Sequence, residues 1–428
     1  MASVLVSHSG KQHAYRHALA LQRLGCLDRF ITSSYYLPDR WPDRLLARSP
    51  GLDRVLRRRH LDGLADRVVR QPLFELPEVV CRTVVGNGRR TAGLVLQRDV
   101  LFDRWVASTA LQRRTSANVF WGFQGSCRDS LAAARACGLI TVLELATGHA
   151  PAAERILRRE RLRHPEWADS LSNAGFPRWY GQRLEAEPHE ADYCIAASRF
   201  TRDTLRQSGV PDRRILQLPL GSDLTCFRPR PRSTRGPFQI LFVGGVGQRK
   251  GIKYLLDAWN RIRTPNLRLV VVGPMVGSGR AFRDQARGVD YVGRVDTQDV
   301  LAHMYRSHVL VLPSLFEGFG LVLIEAMATG LPVIGSTHSA APDLVRSGRD
   351  GFVLAPDDVD GLADRLTRLA EDRGRTAAMG VEAARRARHF GWDQHTERLM
   401  RITRIIVGRK DSTDGASERK RTESVHAD

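Results

Sequence analysis

The chain has 428 residues, 42% hydrophobic and 26% charged, which suits two domains with full cores and an ordinary globular composition. Its formal charge of +20 is almost wholly arginine and heavier in the N-terminal half; with no aromatic–basic strand pattern and no zinc-finger spacing, it excludes nucleic acid as the expected partner and suits an anionic acceptor or membrane surface. No run approaches a membrane span, MASVLVSHSGKQ lacks the basic leader and apolar core of a secretory signal, and six scattered cysteines without Cys-x-x-Cys fit reduced thiols, so the expectation is a cytoplasmic protein, peripheral at most on the inner membrane face.

Along the N-terminal half, Ser3–Ser7 predicts a strand, followed by a glycine loop at Gly10 and Lys11 and a helix through Leu24. His13 and His17 stand four apart at that helix start, a metal-binding spacing, but no third ligand accompanies them and no metal is expected. Val119–Gly122, Ile140–Glu144 and Tyr193–Ala197 are further strands, separated by Arg-rich helical stretches at about 44–70, 89–115 and 151–190. The stretch Arg89–Arg114 mixes apolar residues with arginines; packing on the core with solvated arginines is favoured over lying on an anionic bilayer. Pro219–Pro237, rich in Pro, Arg and Gly, reads as a linker.

The C-terminal half repeats the rhythm. Phe238–Gly244, Leu267–Gly273, Asp290–Val292, Val309–Leu312, Pro332–Gly335 and Gly351–Leu354 are short apolar strands. Between them lie helical periodicities, including Ile252–Ile262, Thr297–Ser307 with Thr297 as N-cap, and Gly361–Glu371. This alternation predicts an α/β fold of two doubly wound domains facing across a cleft. The expected boundaries are 1–225, 226–385, a helix at 386–406 crossing back to the N-terminal domain, and a disordered tail at 407–428 without apolar periodicity.

Glu325 is the only charged side chain in Leu321–Ile334, and Glu317 stands eight positions earlier in Glu317-Gly318-Phe319-Gly320. A carboxylate in so apolar a run is costly to bury unless it is hydrogen-bonded by a structural partner or by a polyhydroxylated ligand. Leu321–Thr329 predicts a helix closed by Gly330 and Pro332. Eight helical residues rise about 12 Å, so the two acids do not act on one atom. They can grip two ends of a long ligand, with an anion-binding helix N-terminus between them, which describes a sugar nucleotide.

These segments together, FVGGVGQRKGIKYLLDAW, LVVVG, YVGRV, VLVLPSLFEGFGLVLIEAMATGLPVI and DLVRSGRDGFVLAPDD, resemble the donor-binding domain of the retaining glycosyltransferases of family 4. The resemblance covers about 238–372, extends to 192–230 through PLGSDLTCFRP, and fades over 1–140. It implies the GT-B fold of two Rossmann-like domains and metal-independent transfer from a nucleoside-diphosphate sugar, which is a co-substrate rather than a cofactor, to a glycan or lipid-linked acceptor, with retention and in service of polysaccharide biosynthesis. It implies that Glu325 holds the ribose, that Glu317, Gly318, Phe319, Gly320 and Leu321 contact sugar and phosphates, and that Lys250 binds phosphate. Gly245 stands where most members have an arginine, and Arg249 supplies the second cation. For the family's N-terminal histidine the candidates are His8, His13, His17 and His149; His149, five after Glu144 and before Leu157-Arg-Arg-Glu160, is favoured, giving His149 and Glu317 as catalytic candidates. Gly10 and Lys11 face the cleft from the acceptor side.

Competing signals are weaker. Gly244-Gly245-Val-Gly247 lacks the dinucleotide order, and no Ser or Thr follows Lys250 as a P-loop requires. Asp358-Val-Asp360 is read as a helix cap rather than a metal–diphosphate site. A catalytically silent sugar-nucleotide-binding protein and a GT-B-type sugar epimerase stay open beside transfer.

Overall fold

The computed structural model describes residues 2–10, 13–41, 43–46, 48, 57, 59–84, 89–111, 115–174, 176–233 and 235–425. The N-terminal domain is a seven-stranded sheet in the order β3-β2-β1-β4-β5-β6-β7. Its strands are β1 (Val4–His8), β2 (Leu27–Thr32), β3 (Val68–Arg70), β4 (Val119–Phe123), β5 (Ile140–Leu145), β6 (Tyr193–Ala196) and β7 (Ile215–Gln217), all paired in parallel. The helices that matter below are α1 (Ala14–Arg23), α2 (Arg89–Trp105), α3 (Ala150–Arg163) and α4 (Arg178–Glu190). Every residue of β1, β4 and β5 is buried, as strands covered on both faces must be.

The C-terminal domain is a six-stranded parallel sheet in the order β10-β9-β8-β11-β12-β13. It comprises β8 (Phe238–Val243), β9 (Leu267–Val272), β10 (Val289–Gly293), β11 (Val309–Leu312), β12 (Val333–Ser336) and β13 (Gly351–Leu354), with α5 (Leu321–Ala328) following β11. In each sheet the order reverses beside the first strand. That switch point, at the carboxyl ends of the strands, is where doubly wound sheets bind ligands. It places the loop after β8 opposite the loop after β11 in one domain, and the loop after β1 opposite the loop after β4 in the other.

A long helix, α6 (Trp392–Val425), returns to the N-terminal domain: Leu399, Ile402 and Ile406 sit in its core with Val4, Val6 and Trp121. The backbone stays helical to Val425, where the sequence predicts disorder from residue 407. Ile406 is the last buried residue among the described side chains, and a helix already nucleated against a core propagates cheaply beyond it. Among the described residues no helix is long and apolar enough to cross a membrane.

Three strands escaped the sequence reading. β2 carries Asp28 and Arg29 after its first residue, which break its apolar run, while β3 and β7 have three residues each and take their strand character from their neighbours. The stretch read as helical at about 44–70 therefore ends in an edge strand, and part of it lies outside the described residues. α2 packs on the core through Phe102, with Val106 just beyond its end, and its Arg98 pairs with Glu78 at 2.5 Å and Asp99 at 2.8 Å rather than facing solvent.

Candidate functional site

A cavity of about 520 Å³ opens at the switch point of the C-terminal sheet. Gly244 and Lys250 reach it from the loop after β8, and Glu317, Phe319 and Gly320 from the loop after β11; Leu321, Val322 and Glu325 come from α5. Its volume falls in the range of about 300–1,000 Å³ usual for small-molecule sites. Ala146, at the end of β5, and Leu220 and Phe227, near the junction, complete it from the other side.

Local backbone chemistry explains the layout. Gly320 caps α5 at φ 82°, a conformation costly for a side chain, and so turns the chain sharply from β11 into the helix. Leu321 and Val322, at the start of α5, line the cavity, and their amides lie too early in the helix to find an acceptor within it, a ready anion site. Leu321 and Glu325 are one turn apart and share a face, so the same turn sets the carboxylate on the cavity. Gly318 serves contact rather than conformation. A Cβ there would overlap the carbonyl oxygen of Ala146 and crowd Thr147. Ser198 Oγ donates to the Gly318 carbonyl at 2.8 Å, so the two domains touch through this glycine.

The charges are unevenly matched. Glu317 pairs with Lys250 Nζ and lies 3.7 Å from Arg249 Nη1, which also donates to the Phe316 carbonyl at 3.0 Å. Burial pulls the Lys250 ammonium below its usual range, and Glu317 opposes this. Glu325 has no ion pair or side-chain hydrogen bond among the described residues, and burial raises its carboxyl above the usual range. A half-buried acid facing an open cavity without a protein partner is a group waiting for ligand donors.

Arg249 and Gly245 line a smaller neighbouring cavity of about 220 Å³ that shares Lys250 and is closed by Ser170 and Leu171. The remaining candidates are placed differently. His149 is fully buried at the N-terminus of α3; its Nε2 meets the Leu184 carbonyl at 3.1 Å, and it does not line the cavity. Burial holds its imidazole below the ordinary value, and its Nδ1 has no partner. The sequence expected a polar loop at a strand end to point into the cleft. Instead Gly148 packs on Phe316 and Phe200, and the next residue turns inward under α4. Gly10 stands at the end of β1, where its N–H donates to His8 Nδ1 at 2.8 Å; Lys11 lies outside the described residues.

His13 and His17 share a carboxylate. His13 Nε2 meets Glu144 Oε1 at 2.7 Å, and His17 Nδ1 lies 3.4 Å from Oε2, which also accepts from Trp121 Nε1 at 2.8 Å. Asp358 caps the helix Val359–Glu371 through Gly361 N at 2.9 Å, as expected. The cap of Thr297–Arg306 is Asp296 rather than Thr297; its carboxylate accepts from the N–H groups of Gln298 and Asp299. The sequence reading missed the segment 157–171 as part of the site. Its Glu160, Trp167 and Ser170 reach the C-terminal domain, and the available signal was the Leu157-Arg-Arg-Glu160 pattern, whose acid stands in an arginine-rich helix beside one other, Glu154.

Residues 237–372 match the family described as Glycosyl transferases group 1. A D-inositol 3-phosphate glycosyltransferase of Rhodococcus opacus is 34% identical over 252 residues, 54% of this chain and 56% of that protein. A phosphatidyl-myo-inositol mannosyltransferase of Mycolicibacterium smegmatis is 30% identical over 220 residues, covering 48% and 56%. The chain thus spans about half the length of the curated relatives it matches. Among solved structures, a sucrose-phosphate synthase of Thermosynechococcus elongatus superposes with TM-score 0.63 at 19% identity, covering 95% of this chain and all of the other. Anabaena Alr3699/HepE, solved with UDP and glucose, gives 0.59 at 14% identity, covering 94% and 99%. These likenesses show the fold: two Rossmann-like domains in the GT-B arrangement.

Proposed function

From the match of residues 237–372 to the group 1 glycosyl transferases, we propose that the protein transfers a sugar from a nucleoside-diphosphate sugar to a glycan or lipid-linked acceptor, with retention and without a metal. The observation that carries the reading is Glu325, a half-buried carboxylate without a partner among the described residues, on the same cavity as Lys250 and the N-terminus of α5. Glu325 accepts hydrogen bonds from the ribose hydroxyls. Lys250, Arg249 and the first amides of α5 hold the diphosphate, and Glu317 stands beside the sugar and keeps Lys250 in place.

In the reaction the bond between the anomeric carbon and the phosphate oxygen breaks, and its electron pair leaves with the nucleoside diphosphate. The negative charge that accumulates there meets a fixed ammonium and oriented amides in a water-poor cleft, where such groups are most effective. The acceptor hydroxyl attacks from the face the phosphate leaves, and its proton passes to the departing phosphate oxygen. The contact of Gly318 with Ala146 keeps the two domains together during this step and excludes water. The acceptor enters along the N-terminal domain, past Gly10 at the end of β1. HepE, solved with UDP, supports a nucleotide sugar as partner. The excess of arginine suits an anionic acceptor or inner membrane face, in keeping with cytoplasmic polysaccharide biosynthesis.

Thermal-shift screening of the full chain against UDP-, GDP- and ADP-sugars tests the proposal. One class should stabilise the wild type and fail to stabilise Glu325→Ala at the same concentration. Stabilisation by none, or equal stabilisation of both proteins, overturns it. Transfer of labelled sugar to an acceptor extract separates a transferase from a silent binding protein and from an epimerase, neither of which couples nucleotide release to glycan growth.

A further inference from the structure

The loop that carries Arg249 and Lys250 does not stand on its own domain alone. Gln248, the residue before them, is fully buried, and each of its polar groups is engaged. Its Nε2 donates to Glu160 Oε1 at 2.5 Å, its Oε1 accepts from Lys253 N at 3.0 Å, and its own N–H donates to Ser170 Oγ at 3.0 Å. Glu160 belongs to α3 and is itself buried; its second oxygen accepts from Tyr254 Oη at 2.9 Å. Both oxygens of one buried acid from between β5 and β6 are therefore spent on the C-terminal domain. They hold the single turn Gln248–Lys250 at one end and the helix Ile252–Arg261 at the other.

The rest of the segment is seated in the same direction. Trp167 is buried within the C-terminal core, Asp169 accepts from Ser278 N at 2.6 Å, and Leu157, Leu171, Phe200, Tyr254, Leu315 and Phe316 form one small apolar cluster across the junction. A buried carboxylate is expensive unless its hydrogen bonds are complete, so the position of Glu160 fixes the side chain it serves. Gln248 is two residues from Lys250, and the turn between them is short. A shift of Gln248 therefore moves the ammonium relative to Glu317 and the amides of α5.

The geometry points to Glu160 as a positioning residue that acts through Gln248. It holds the Arg249–Lys250 turn in register with the diphosphate and makes a complete phosphate site depend on α3 being docked across the junction. This rests on the nucleotide-sugar reading above. It assigns to Glu160 no contact with the substrate.

The test uses the full chain and two probes: the nucleoside diphosphate among UDP, GDP and ADP that wild type binds most tightly, and the corresponding nucleoside without phosphates. For Glu160→Gln the dissociation constant of the diphosphate should rise roughly tenfold, about 1.4 kcal/mol, while that of the nucleoside stays the same. A purely architectural role would weaken both alike. The exchanged pair Glu160→Gln with Gln248→Glu restores every hydrogen bond, since Gln at 160 donates to Glu at 248 and still accepts from Tyr254, and it should regain diphosphate affinity to within about threefold. If Glu160→Gln does not fold, Gln248→Met breaks the same contact from the loop side and should show the same selective loss. Unchanged diphosphate affinity in the folded variant, or equal loss of both probes, overturns the assignment. A wild type that binds none of the three diphosphates overturns the nucleotide-sugar reading, and this inference with it.

Discussion

The two domains share a strand order but match the acids at their switch points differently. In the N-terminal domain acids and bases answer one another. Glu144 takes His13 and Trp121; Asp103 accepts from the N–H groups of Asp129 and Ser130 at 2.7 and 2.9 Å and pairs with Arg183; Glu187 accepts from Gly125 N at 2.7 Å. In the C-terminal domain Glu325 faces a cavity with no side-chain partner among the described residues, and the cation beside it is tied to Glu317. Paired burial builds structure, whereas an acid left open on a cavity is where a ligand supplies the missing donors. The comparison also separates His149 from Lys250: one is enclosed within its domain, the other stands at the cavity wall.

The contrast predicts where substitutions act. Lys250→Met removes the ammonium that meets the leaving diphosphate, and kcat for transfer should fall about a hundred- to a thousandfold. A fall below about tenfold would remove Lys250 from that role. Glu325→Ala should raise the donor dissociation constant by roughly 30- to 100-fold, the cost of charged hydrogen bonds to two hydroxyls, with the melting temperature unchanged or higher because a desolvated acid is gone. Calorimetric titration checks the affinity and a thermal melt of the ligand-free protein checks the stability. Gly318→Ala puts a methyl group into the Ala146 carbonyl and should lower kcat/KM by about tenfold through misregister of the domains, with part of the loss in diphosphate affinity because the Arg249–Lys250 turn is held across the same junction. Full activity in that variant would show that the contact between domains does not matter.

The N-terminal network predicts a pH effect on stability rather than on donor binding. Burial would raise the Glu144 carboxyl, but the imidazoles of His17 and His13 outweigh it and hold the acid down, from 4.5 to about 2. Burial pushes His17 from 6.5 to about 3, and Glu144 only partly offsets this. Both groups bind fewer protons folded than unfolded between these values. Their stabilisation is thus fully present above pH 6.5 and is lost as pH falls through the window toward 2 to 3. The apparent melting temperature should drop by roughly 5–10 °C between pH 7 and 4, and less in Glu144→Gln. A melting temperature flat across that range would contradict the arrangement. His149→Asn should have the smallest effect on chemistry. It should lower the melting temperature but leave kcat within about threefold, since the ring lies off the cavity wall. A hundredfold loss would restore it as a catalytic candidate.

Sequence and structure agree most closely where burial leaves a periodic mark. The apolar strands β8, β9 and β11 lie within a residue or two of their predicted positions, because a strand covered on both faces must be apolar throughout. The amphipathic α1 agrees as well, ending at Arg23 with Leu24 as its cap. The short edges β3 and β7 did not stand out, since three residues carry no period and their pairing is decided by neighbours far along the chain. Within the site, the lone acid at 325 and the glycines around 318–320 were legible. The side to which His149 turns was not, because it depends on how α3 packs under α4.

By itself, the order of residues determined an alternating α/β chain with two sheets, a glycine-framed loop entering a helix after β11, and one acid in an apolar helix, since each leaves a local signature in polarity or backbone freedom. Only the tertiary structure decided which acids stand open and which are paired, and that Glu160 reaches across the junction to the turn holding Lys250. Those outcomes depend on contacts between segments tens to hundreds of residues apart, whose meeting no local pattern encodes.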